Sequence, residues 1–220
     1  MKSNIFLSTM LFIGALAVTS SCTKENTGIN ETPVAAAVAV DGLKSATVAA
    51  PCVLTGTITD VPVPACVVSG TVTDTESAGL LFMREEEKLA RDVYAYMYAK
   101  YKLPVFLNIS KSENIHVSAV LRLISGFKIA DNSTNNAGVY TNAHLIELYN
   151  QLIAMGNISV NGALKVGVLI EQTDIADLQK ELLSVTNTSI KTVYTNLMAG
   201  SNAHLKAFSW NLKIRGVVYP

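Results

Sequence analysis

Four segments of this 220-residue chain carry apolar stripes at helical spacing, and each stripe is broken by polar groups where a core residue would be expected. In 79–101 the stripe is Leu80, Met83, Glu87, Ala90, Tyr94, Met97 and Tyr101. In 109–127 it is Ile109, Glu113, His116, Val120, Ile124 and Phe127. Segment 163–185 has Leu164, Val168, Glu171, Ile175, Leu178 and Leu182, with Asp174 one turn after Glu171. Segment 189–215 has Ile190, Val193, Leu197, Ser201, His204, Phe208 and Leu212. Burying a polar group without a partner costs roughly 2–7 kcal/mol, and a charge costs more. Something in the interior must therefore satisfy these groups.

The interruptions sum to four carboxylates, Glu87, Glu113, Glu171 and Asp174, and two imidazoles, His116 and His204. Glu113 and His116 are three residues apart, which on a helix puts both on one face within reach of a single ion. Two divalent first-row metals in a helix bundle call for such a set, because carboxylates bridge and neutralise the ions while each histidine supplies a nitrogen. The competing reading places some of these residues on solvated faces, since a helix read from sequence can be rotated by one position.

The run from Glu87 to Tyr94, with Ala90 and Arg91 between them, resembles the first-helix signature Glu-x-x-Ala-Arg-x-x-Tyr of the rubrerythrin-like branch of the ferritin superfamily. Glu113 and His116 resemble its second-helix ligand pair, and Glu171 and Asp174 its third-helix Glu-x-x-Glu with one acid shortened. More closely, 79–94 together with 200–208 resembles domain of unknown function 2202, a ferritin-like family. The resemblance spans about residues 78–213 and implies an all-α, ferritin-like four-helix bundle over 77–216 with a long middle connection. It further implies two iron ions and reduction of dioxygen or hydrogen peroxide. Tyr94 is then expected to donate a hydrogen bond to a ligand carboxylate, and Arg91 to offset carboxylate charge. The ordinary alternatives are a half-buried core aromatic and a surface ion-pair partner.

The family's fourth helix usually offers Glu-x-x-His, whereas this chain has Ser201 before His204. Ser201 is a poor ligand for a hard cation, so one carboxylate is missing unless Asp174 replaces it. That leaves open a mononuclear site of Glu113, His116, Glu87 and one further ligand, which would accept zinc or manganese as readily as iron. It also leaves open a degenerate bundle that serves as a cell-surface binding or structural module without redox chemistry.

At the N-terminus, Lys2 is followed by an apolar run from Ile5 to Val18, too short for a stable span, and then by Thr19, Ser20, Ser21 and Cys22. This resembles a bacterial lipoprotein signal: residues 1–21 are removed and Cys22 becomes the lipidated first residue. A plain secretory peptide and an uncleaved anchor are the alternatives. Thr23, Lys24 and Glu25 resemble an export signal of surface lipoproteins, which implies a lipid-anchored protein of the outer membrane. Residues 22–50 read as a flexible tether. Residues 51–76 hold two copies of a fourteen-residue repeat beginning at Cys52 and Cys66, whose alternating β-branched residues predict two strands in a small β-type extension. A disulfide between Cys52 and Cys66 forms if these strands stack in parallel register, and not in a simple hairpin.

Half of the residues are hydrophobic, which suffices for one medium core, and the formal net charge is zero, so nothing points to nucleic acid and none is expected as a partner. The clustered Tyr94, Tyr96, Tyr98 and Tyr101 read as interhelical packing rather than a base-stacking platform. A polar loop is expected from Asp131 to Gly138, and a short extra helix from Thr141 to Met155, capped by Thr141 or Asn142. His144 and Glu147 on that helix are assigned to its surface. Gly126 and Gly216 are expected just past helix ends.

Overall fold

Five helices and no strand make up residues 68–218, the part of the computed structural model that can be described. The chain divides into two units, 1–46 and 47–220, and the described residues all lie in the second. Cys22, Cys52, Cys66, the leader, the tether and most of the β repeat fall outside the described residues. The end of the second repeat falls inside them and is not a strand: 68–73 is irregular, and Asp74 already begins a helix. Thr73 takes the expected strand's place as an N-cap, because its hydroxyl accepts from the Glu76 amide at 3.1 Å while the Glu76 carboxylate accepts from the Thr73 amide at 2.9 Å.

Helix α1 accordingly runs Asp74–Tyr101, beginning six residues before Leu80, the start of its apolar stripe. It ends at Lys102 in the left-handed conformation, and Pro104 restarts the chain as the first residue of α2, Pro104–Gly126. Helix α3 is Ala143–Asn157, capped by Asn142; α4 is Val160–Ser184, capped by Ser159; and α5 is Thr188–Lys213, capped by Asn187. In each of these the side-chain oxygen accepts from amides of the first turn. Gly126 is not a cap. It is the last residue of α2, where the Val68 side chain occupies the space a Cβ would need, and Lys128 rather than glycine adopts positive φ. Gly216 does take the left-handed conformation past α5.

The long helices form a closed ring of neighbours, α1 with α2, α2 with α5, α5 with α4, and α4 with α1, while α3 packs outside against α1 and α4. Tyr94 meets Gly167, and Glu181 meets Gly79, so α1 and α4 are antiparallel. The short connectors make α1 and α2 antiparallel as well, which leaves α2 parallel to α4 and requires the long connection that 127–159 provides. One face of α1 anchors that connection. Arg84 pairs with Asp131 at 3.0 Å, Glu85 accepts from Thr141 and Asn142, and Lys88 and Asp92 hold the turn around Gly138. No helix among the described residues is long and apolar enough to cross a membrane.

The core is split in two. Leu80, Met83, Val120, Leu123, Leu178, Ile190 and Leu197 belong to one apolar cluster, and Val93, Met97, Phe106, Leu164, Val168 and Phe208 to the other. Each long helix passes from one cluster to the other, and the polar interruptions fall at the waist between them: Glu87 on α1, Glu113 and His116 on α2, Glu171 and Asp174 on α4, Ser201 and His204 on α5.

Candidate metal centre

All six ionisable interruptions are buried at the waist, none more than 8% exposed. Glu113 is their hub. Its Oε2 lies 2.8 Å from His116 Nδ1, and its Oε1 lies 2.8 Å from His204 Nδ1. His116 Nδ1 also faces Glu87 Oε2 at 3.1 Å, and His204 Nδ1 faces Glu171 Oε2 at 3.5 Å. Two groups of donors thus converge, Glu87 with Glu113 and His116, and Glu113 with Glu171 and His204, each with its ligand atoms inside 4.8 Å of one another. The two imidazole rings stack with centroids 5.4 Å apart.

Neighbouring groups orient this set. Tyr94 donates to Glu171 Oε1 at 2.7 Å, and Ser112 Oγ meets His204 Nε2 at 2.9 Å, which leaves Nδ1 turned inward. The His116 ring lies against Gly200, where an added Cβ would come within 2.6 Å of Nε2, so only glycine leaves the ring its place.

The electrostatics are those of charges in need of partners. Burial would raise the Glu113 carboxyl, but the imidazoles of His116 and His204 win and hold it at about 2. Burial pushes Glu87 up to about 7 against the pull of His116, and Glu171 up to about 8 with the Glu113 charge adding to the rise. Asp174 is raised well above its usual range by burial and by Glu87. Burial disfavours charge on both histidines, yet the carboxylates raise His116 well above the ordinary value and His204 to about 9. Protons therefore occupy a cluster built to balance positive charge. They do so incompletely, because Glu87 Oε1 and both Asp174 oxygens have no hydrogen-bond partner. A carboxylate- and imidazole-rich donor set with unsatisfied buried atoms fits a bound divalent metal.

Of the residues expected from sequence, Glu87, Glu113, His116, Glu171 and His204 converge in these two groups, with Asp174 buried beside them. Tyr94 reaches a carboxylate of the cluster as expected. Arg91 does not offset the cluster's charge. Its guanidinium points outward and pairs with Asp92 at 2.9 Å and with Asn114 and the Asn135 carbonyl, because the helix turns it toward the long connection. Ser201 lies beside Asp174 but donates to the Leu197 carbonyl of its own helix at 3.0 Å. His144 and Glu147 are exposed on α3. Sequence reading passed over Ser112, Gly200 and Glu86. Glu86 is buried, and burial together with Asp174, Asp177 and Glu87 raises its carboxyl well above the usual range. The signal for Glu86 was there: an acid run from Glu85 to Glu87 occupies too wide an arc of a helix to be wholly solvated when neighbours pack on two sides.

A family model described as an uncharacterized protein domain, DUF2202, matches residues 76–220, a span that contains every residue of this centre. The uncharacterized protein MJ0754 of Methanocaldococcus jannaschii is 49% identical over 134 residues, which make up 60% of this chain and 72% of that protein. The crystal structure of that hypothetical protein aligns with a TM-score of 0.67 at 45% sequence identity and covers 69% of this chain and 87% of that one.

Proposed function

Since the chain belongs to the DUF2202 family, and since its polar interruptions meet at one buried waist, we propose that it is a metal-binding protein of ferritin-like, rubrerythrin-like architecture with a two-ion centre. The supporting observation is that two donor groups share Glu113, as a carboxylate common to neighbouring ions must. Glu87, Glu113 and His116 would hold one ion, and Glu113, Glu171 and His204 the other. Asp174, with both oxygens unpartnered, is positioned to make good the carboxylate that Ser201 does not supply.

The oxygen and imidazole donors suit iron, and manganese equally; a single zinc would use one group only. Bound iron would supply one-electron chemistry toward a small oxidant such as dioxygen or hydrogen peroxide, an oxidase or peroxidase type of activity. The chain's own part is definable. Glu113 is held ionised by two imidazoles, Tyr94 fixes Glu171 through its hydroxyl, and the two apolar clusters exclude water from either side. The leader and Cys22 extend the proposal to a lipid-anchored envelope protein.

Ser201 favours a second reading, a degenerate bundle without redox chemistry that acts as a surface binding or structural module. Metal content measured by plasma mass spectrometry separates the two. About two ions per chain are expected for the parent and for Glu147→Ala, and none for Glu113→Ala or His116→Ala. Equal content in all four proteins, or none in the parent after reconstitution, would end the metal reading.

A further inference from the structure

The buried waist has an acidic side branch that the centre itself does not use. On α4, Asp174, Asp177 and Glu181 follow one another at spacings of three and four and so line one face over about 10 Å. That face is turned toward α1, where Gly79 and Glu86 lie two turns apart in the antiparallel sense. Asp174 and Glu86 are buried, at 6% and 7% exposure, whereas Asp177 and Glu181 are half-buried. The acids therefore step from the bundle surface to the centre.

Three observations mark this face as more than a solvated charge run. Glu86 and Asp177 stand close enough for the charge of one to act on the other, and Glu86 Oε2 is buried without a hydrogen-bond partner. Both Asp174 oxygens, at the inner end, are likewise unpartnered. At the outer end, Gly79 gives up the space of a side chain to the Glu181 carboxylate, which would stand 2.6 Å from a Cβ there, and the buried Tyr194 hydroxyl beside it also lacks a partner. Lys180 stands near Glu181 as the counter-charge at the mouth. Unsatisfied oxygens in sequence, with acids facing acids across two helices, are what a hydrated cation in transit needs and what a structural network avoids.

We propose that Glu181, Asp177 and Glu86 form an entry lane that passes divalent first-row cations from the surface to Asp174 and the buried centre. The lane rests on the metal reading above. It assigns these acids to transfer, and not to the resident ligand set. Neutralising one of them should change how fast the centre fills while leaving how much it holds unchanged.

The test loads the metal-stripped protein with cobalt(II), followed by stopped-flow visible absorption, with final cobalt per chain measured separately. Glu86→Gln and Asp177→Asn should reach the parent's final content about tenfold or more slowly, and Glu181→Gln should show a smaller delay. Added salt should slow the parent and leave Asp177→Asn nearly unaffected. Parent-like loading rates in Glu86→Gln and Asp177→Asn would overturn the lane alone. Reduced final content in either would make these acids resident ligands and also overturn it. A parent that takes up no cobalt would overturn the metal reading and the lane with it. An unchanged helical circular dichroism spectrum guards against misfolding, and Glu86→Gln relieves acid crowding in the fold.

Discussion

Two clusters of buried charge touch α1 within a few residues of each other, one through Glu87 and one through Lys88 and Asp92, and they are built on opposite principles. Around Asp92 every oxygen is answered. Oδ2 accepts from Lys88 at 2.8 Å, from the Gly138 amide at 3.1 Å and from the Tyr140 hydroxyl at 3.0 Å, while Oδ1 accepts twice from Arg91. Lys88, fully buried, spends its remaining donors on the Asn136 and Val139 carbonyls. Around Glu113 the acids outnumber the cations, and oxygens of Glu87 and Asp174 are left over. A saturated cluster fastens a loop; an unsaturated one is shaped for something it does not itself contain.

The sharpest way to break this contrast is to remove an acid from each cluster. Asp92→Ala strands the Lys88 charge in the interior and should cost about 3–5 kcal/mol in unfolding free energy, read by chemical denaturation. Asp174→Asn should leave the metal-free protein as stable as the parent or more so, because an unpartnered buried acid is neutralised, while bound metal falls. Equal destabilisation by the two would erase the distinction.

A smaller effect is expected from Gly200→Ala. The new methyl must push the His116 ring aside, so metal affinity should drop by about 10–100-fold, with at most about 1–3 kcal/mol of overpacking cost. Parent-like affinity would mean that the ring's position is immaterial.

The smallest effect concerns a third buried carboxylate that, like Asp92, is fully answered. Glu76 accepts from the amides of Thr73, Thr186 and Asn187 and from the Thr186 hydroxyl. Burial would raise its carboxyl, but these donors prevail and hold it at about 2 against an ordinary 4.5. A lowered folded-state value means that its contribution is complete above about pH 4.5 and fades as pH falls toward 2. Glu76→Gln should flatten that part of the acid denaturation profile, and an unchanged profile would refute the assignment.

The difference between these clusters also explains which residues could be read in advance. Glu113, His116, Glu171 and His204 stood out because each interrupts an apolar stripe at helical spacing, and a periodic pattern reports its own exceptions. Lys88, Asp92, Glu85 and Arg84 did not, because their partners lie in the connection after α2, some 50 residues on, where no periodicity leads. Between the two readings of Arg91 the sequence could not choose for the same reason: Asn114 and Asn135 claim it from other segments. Thr73 and Glu76 form a legible capping box that the strand-like Val-Thr alternation before it obscured.

The amino-acid sequence alone determined that helices would form, which faces they would bury and that ionisable groups would be buried with them, since these follow from local spacing and the cost of dehydrating charge. Only the tertiary structure decided that the interruptions share one level between two apolar clusters, that Glu113 stands between both imidazoles, and that Asp174 and Glu86 keep unanswered oxygens. Those outcomes depend on the relative rotation and offset of four helices, quantities fixed by packing between segments distant in the chain.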